Sequence, residues 1–194
     1  PHGIVHVDAK GRIKEQIGLP AELAAVETRF GFEGIALQGD TLWMAVQREW
    51  GDDPKGMVKL VAYDTKAKEW GAVHYPLEPK GAGWMGLSEL TIRGDYAYVI
   101  ERDNQLGDKA VVKKIFRVKL ADMVPAKLGS ELPVVAKEEV RDLLPVLKSY
   151  GGYVLDKVEG FTIDAAGEGW VVTDNDGVDD SSGETLFFSI GKVE

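Results

Sequence analysis

Cysteine is absent from the 194 residues, which excludes disulfides, thiolate-bound zinc and a thiol nucleophile. Long apolar runs are also missing, although 44% of the residues are hydrophobic. The chain therefore reads as a soluble globular protein, long enough for a substantial core, with no membrane insertion. Basic charge is scarce: 23 Lys and Arg stand against 32 Asp and Glu, for a net charge of −9. A nucleic acid would meet net repulsion rather than counterion-release binding, so no nucleic-acid partner is expected. Only His2, His6 and His74 are present, and they form neither a His-Glu-x-x-His motif nor an i, i+4 pair, which argues against histidine-ligated zinc. No Gly-x-Ser-x-Gly elbow occurs, and neither Ser88 nor Ser149 has its context. Lys80-Gly81-Ala82-Gly83 is not a complete phosphate loop.

What the chain does contain is short alternating segments punctuated by Gly-Asp, Asp-Ala-Lys-Gly and Pro, the signature of antiparallel strands. Ile4-Val5-His6-Val7 and Arg12-Ile13-Lys14-Glu15 flank Asp8-Ala9-Lys10-Gly11 as a hairpin. Leu60-Val61-Ala62-Tyr63 and Trp70-Gly71-Ala72-Val73 repeat the pattern. Two stretches read as helical. One is short, Pro20 to Glu27; the other, Lys137 to Leu147, places Val140, Leu143, Leu144 and Leu147 on one face until Pro145 bends or ends it. Ala121 to Ser130 lacks periodicity and reads as a loop.

Three segments are mutually similar. They are Phe32-Glu33-Gly34-Ile35 with Gly39-Asp40 and Leu42 to Glu49; Ser88-Glu89-Leu90-Thr91 with Gly94-Asp95 and Ala97 to Asn104; and Val158-Glu159-Gly160-Phe161 with Ala166-Gly167-Glu168-Gly169 and Trp170 to Gly177. Each is a Glu-led strand, a tight turn and a second strand, spaced more widely than the roughly 40 to 50 residues of common propeller repeats. Repeats of this kind predict an all-β fold, a β-propeller of four-stranded antiparallel blades with one or two short helices. About three blades are visible. Three do not close a ring when propellers typically use about four to eight, so the chain is expected to be a partial propeller or one completed by a second copy, a homodimer. Residues 1–194 form one domain, read as the carboxy-terminal part of a longer chain whose leader or amino-terminal portion has been removed.

The hairpin geometry sets Glu33 beside Gln47 to Glu49, Glu89 beside Glu101 to Asn104, and Glu159 beside Asp174 to Asp176. In a radial array these ends converge on one acidic rim, partly offset by Arg48 and Arg102. A hard cation such as Ca²⁺ takes six to eight oxygen ligands, and Glu33, Glu89, Glu101, Glu159, Asp174, Asn175 and Asp176 are the candidate ligands. Glu89, Glu159 and Asp174 are the candidate catalytic carboxylates, with Arg48 and Arg102 for substrate. Each lead Glu has a second reading, in which it accepts backbone N–H bonds or pairs with Arg48 or Arg102 to hold blades in register. Asp174 does not open an EF-hand loop, because Asp179 stands at the sixth position and Thr185 at the twelfth. Trp50 and Trp84, in loops, are the tryptophans placed for ligand contact, whereas Trp43, Trp70 and Trp170 read as packing.

Glu33-Gly34, Glu159-Gly160, the run from Lys137 into Lys157-Val158-Glu159-Gly160, and Asp174-Asn175-Asp176-Gly177 followed by Gly183-Glu184-Thr185-Leu186 give the chain its family likeness. It resembles the phytase-like family described as esterase-like activity of phytase. The resemblance implies a β-propeller exported to the bacterial periplasm or medium, with hydrolase activity on a phosphoester or related ester and a small-molecule partner. Calcium dependence belongs to the better-characterised propeller phytases. A non-catalytic propeller that binds a ligand or partner, and a calcium-dependent lactonase-type propeller, are the competing readings.

Overall fold

The computed structural model describes residues 2–79, 81–155, 157–175 and 185–193. An isolated hairpin opens the chain, β1 (Gly3–Val7) with β2 (Ile13–Gly18), followed by a four-residue helix, α1 (Ala21–Ala24). Three antiparallel sheets follow, the three expected blades. The first contains β3 (Phe32–Gln38), β4 (Thr41–Val46), β5 (Met57–Asp64), β6 (Trp70–Pro76) and, as a fifth strand on its edge, β10 (Ala126–Lys127). The second contains β7 (Met85–Arg93), β8 (Tyr96–Asp103), β9 (Lys113–Lys119) and β11 (Glu138–Asp142). The third shows three strands among the described residues, β12 (Val158–Ile163), β13 (Glu168–Thr173) and β14 (Phe187–Lys192).

The turns explain why these segments pair. Gly39 and Gly94 take positive φ, 58° and 57°, at the first central position of two-residue loops, where a side chain would be strained and glycine is not. Blades pack face to face. Trp43, Leu60 and Tyr75 of the first blade bury against Leu87, Leu90 and Phe116 of the second, whose other face buries Tyr98 and Ile115 against Phe161 and Val171 of the third. Strands β3 and β12 both pack on β7, so the first strand of each sheet lies innermost. Gly34 lies so close to β7 that a Cβ there would fall 2.2 Å from the Leu90 nitrogen.

One helix expectation is corrected. Lys137 to Leu147 is not a single helix: Glu138–Asp142 is the strand β11, and α2 (Leu144–Ser149) starts after it with Pro145 in its first turn. Glu138 pairs with Arg117 and Glu139 with Lys114 across β9, and these cross-strand ion pairs favour an edge strand over a helix. The apolar spacing misled because Val140, Leu143, Leu144 and Leu147 reach one cluster through a strand, a corner and a helix. The stretch 121–130 is mostly loop, as expected, but includes β10 and the end of a 3₁₀ turn, Leu120–Asp122. No helix among the described residues is long and apolar enough to cross a membrane.

Candidate functional site

All three first hairpins carry a β-bulge near the start of the inner strand. Phe32 pairs with Val46 and Gly34 with Ala45, leaving Glu33 as the extra residue; Val158 pairs with Thr173 and Gly160 with Val172, leaving Glu159. In the second blade Leu87 pairs with Glu101 and Glu89 with Ile100, so the extra residue is Ser88. Counted from the Gly39-Asp40 and Gly94-Asp95 turns, Ser88 stands level with Glu33, and Glu89 stands level with Gly34. The three units are therefore led by Glu, Ser and Glu. A bulge bends its strand and re-aims one side chain, and here the three bulges turn Glu33, Ser88 and Glu159 into one cleft.

That cleft has a volume of about 610 Å³ and is lined by Arg29, Phe30, Glu33, Gln47, Trp84, Ser88, Arg102, Asn104, Lys157, Glu159 and Asp174. Arg102, buried, crosses its floor: Nε donates to Ser88 Oγ at 2.8 Å and Nη2 to Glu159 Oε1 at 2.5 Å. One guanidinium thus ties the second blade to the third. Lys157 and Asp174 are brought together by the backbone, with the Asp174 N–H on the Lys157 carbonyl at 2.9 Å. The Trp84 backbone N–H donates to Asn104 Oδ1 at 2.9 Å, holding the residue at the cleft wall. Partial burial, and then the charge of Glu159, raise the Glu33 carboxyl above its ordinary range, with Arg102 and Lys157 opposing. The cleft is mixed in charge, with carboxylates and cations interleaved.

Glu159, Asp174 and Arg102 line the cleft, as does Glu33. Arg48 stands behind its wall, stacked on two of its aromatic rings. Glu89 is at the joint between strands instead: its carboxylate accepts the N–H of Leu90 at 2.8 Å and that of Phe161 on β12, and burial raises its pKa. Glu101 is fully buried between the first two blades, where it accepts from Tyr75 Oη at 3.0 Å, Lys137 Nζ at 2.6 Å and the Glu78 N–H. Burial raises its pKa, with Lys137 opposing. Glu49 accepts the Gly56 N–H within its loop. Asn175 follows Asp174 at the end of β13, and Asp176 lies outside the described residues. The register-holding reading thus describes Glu89 and, in part, Glu159. Trp84 lines the cleft, whereas Trp50 is buried and donates to the Phe30 carbonyl.

Among the described residues, no group of three or more His, Asp or Glu is placed to share a metal ion. Glu89 and Glu101 are committed to backbone N–H groups, a tyrosine and a lysine, so the six to eight oxygens of a calcium shell are not assembled by the described carboxylates. Arg29 and Phe30 were missed in the sequence. Their signal is position: they immediately precede β3, at the same end of the inner strand as Glu33, and so belong to the rim.

The family model for phytase-like proteins, described as esterase-like activity of phytase, matches residues 1–177. No curated protein and no solved structure matches the chain. With the match covering nearly the whole chain, three blades packed around their first strands and the bulged strand starts meeting in one cleft, the chain belongs to the phytase-like family.

Proposed function

We propose that the chain is an exported hydrolase of phosphoesters or related esters and that the cleft between the inner-strand ends is its active site. The observation that carries this reading is the meeting of Glu33, Glu159 and Asp174 with Arg29, Arg102 and Lys157 in one cleft. In the reaction, a water oxygen attacks the phosphorus or carbonyl carbon and gives its proton to Glu159, whose Oε1 is oriented by Arg102. The bond to the leaving oxygen breaks, and that oxygen takes a proton from Glu33, which holds its proton to a higher pH than an ordinary glutamate does. Arg29, Arg102 and Lys157 offset the charge gathering on the oxygens of the ester. No step is routed through a metal. Calcium is the cation proposed for the family's better-known members, and its effect is measured as a separate arm.

The test is hydrolysis of p-nitrophenyl phosphate and p-nitrophenyl acetate by the intact chain, each with Ca²⁺ and with EDTA. Turnover is expected to fall about 10²- to 10⁴-fold in Glu33→Gln and in Glu159→Gln. Absence of turnover above background on both esters would remove the hydrolase reading. A second reading, a propeller that binds its ligand without catalysis, is favoured by the Arg102 to Glu159 pairing, which already compensates a floor cation. Binding without turnover would support it, and lactone substrates test the lactonase alternative. Pairing of two copies belongs to the same proposal, supported by the exposed Ile35 and Leu37 on β3 and Phe187 on β14 at opposite ends of the blade series. Light scattering that gives a monomer mass at every concentration would remove that part.

A further inference from the structure

The wall of the cleft is an alternating series of guanidinium groups and aromatic rings. Arg29 lies 4.6 Å and Arg48 4.5 Å from the centre of the Phe30 ring; Arg48 lies 4.7 Å and Arg102 5.4 Å from that of Trp84. The two rings are 5.8 Å apart. We propose that this series is an oxyanion receptor for the phosphate or sulfate end of a ligand, with Arg48 as the positioning residue that holds it together. The inference rests on the cleft assigned above as the hydrolase site but not on hydrolysis occurring there.

Arg48 carries the argument. Among the described residues it has no carboxylate partner, and its Nε–H is buried without a hydrogen-bond acceptor. A guanidinium held only by ring faces keeps its full charge, because the aromatic quadrupole attracts a cation without neutralising it. A half-buried cation with no carboxylate beside it is stabilised when negative charge comes near. Phe30 and Trp84, on which it stacks, both line the cleft, and so do its stacked neighbours Arg29 and Arg102. An anion entering the cleft therefore supplies the charge that Arg48 lacks. It also favours the protonated form of Glu33, which is already raised in the direction that a nearby anion would extend.

The stacking also selects the ligand's chemistry. Each ring already has two guanidinium groups near its centre, so ring faces are poorly available to an aromatic ligand. What the wall offers is concentrated positive charge and the N–H edge of Arg29, the exposed guanidinium of the series, which matches the oxygens of a phosphate or sulfate. A dianion gains more from this concentrated charge than a monoanion does, so acetate should bind more weakly than either.

The experiment is isothermal titration of the intact chain with inorganic phosphate, sulfate and acetate at fixed ionic strength, with and without EDTA. Phosphate and sulfate should bind saturably, more tightly than acetate and equally well in EDTA. Arg48→Met should weaken phosphate binding about tenfold, Arg48→Lys less, and Trp84→Phe about threefold. No saturable phosphate binding by the wild type, or unchanged affinity in Arg48→Met, overturns the receptor. If Arg48→Met fails to fold, Trp84→Phe decides, and unchanged affinity there overturns it equally. Where esters are turned over, Arg48→Met should raise KM with kcat unchanged. Phosphate binding that depends on Arg48 without ester turnover leaves the receptor standing and removes the hydrolase reading; turnover with an unchanged KM in Arg48→Met does the reverse.

Discussion

Replacing Asp103 with alanine should destabilise the protein more than any exposed carboxylate replacement, because Asp103 is enclosed with a lysine. Its side chain and that of Lys113 are both fully buried, with Nζ 3.0 Å from Oδ1. The carboxylate also accepts the N–H groups of Gln105, Val111 and Val112 at 3.0, 2.7 and 2.8 Å. Truncation takes the carboxylate away from a buried ammonium, which keeps the Asp103 carbonyl as an acceptor at 2.7 Å, at a cost of about 3 to 5 kcal/mol, and leaves three backbone donors without this acceptor. For a chain of this size each kcal/mol lowers Tm by roughly 2 to 4 °C, so a drop of about 6 to 20 °C is expected in thermal unfolding followed by circular dichroism. The double variant Asp103→Asn with Lys113→Met should recover part of the loss, since the buried ammonium is then removed together with the carboxylate. A loss below about 1 kcal/mol for Asp103→Ala, or a double variant no more stable than the single, would refute the reasoning.

Other perturbations follow from the same packing. Gly34→Ala would push a Cβ to 2.2 Å from the Leu90 nitrogen and 2.8 Å from the Glu89 carbonyl carbon, both backbone atoms. Urea unfolding should show a loss of at least about 1 to 3 kcal/mol, and an unchanged midpoint would contradict the close approach of β3 and β7. Glu33 has a folded pKa raised above its ordinary 4.5, so the folded chain binds its proton more tightly than the unfolded chain does. Its contribution therefore favours folding in acid and is withdrawn as pH rises from about 4.5 through the raised folded value. Glu33→Gln should gain stability relative to wild type across that window, read from urea midpoints at successive pH values; a flat difference would show that the carboxyl is not perturbed.

The strands were legible because their signals are local. Alternation gave the hairpins, and the glycines at 39 and 94 gave the tight turns, which need positive φ. The register at the inner-strand starts was not legible to the residue. A bulge adds one residue without changing hydrophobic alternation on the remaining strand, so Glu89 looked equivalent to Glu33 although Ser88 occupies that place. The fate of Glu101 was hidden for a similar reason. Period-two alternation tells which side of β8 it faces, but only the docking of the first blade supplies Tyr75 and the Glu78 N–H, and β11's flank supplies Lys137. The helix expected from Lys137 failed because four apolar residues at helical spacing can be buried by other paths. Asp174 and Glu159 were found together because they lie across one hairpin.

The serine at the second bulge changes what the cleft can be. With a glutamate at all three bulges, Arg102 would face an acid on its own blade and could pair without crossing to the next. Ser88 is short and offers only a hydroxyl acceptor, which Nε of Arg102 uses. The Nη2 edge then reaches Glu159 on the third blade. The same residue choice leaves two acids, Glu33 and Glu159, close enough for the charge of one to raise the pKa of the other, with a single guanidinium committed to only one of them. Two carboxyls separated in this way can divide the roles of proton donor and proton acceptor, whereas three equivalent acids around one arginine would not be differentiated by their surroundings. The break in the repeat, rather than the repeat, is what makes the site asymmetric.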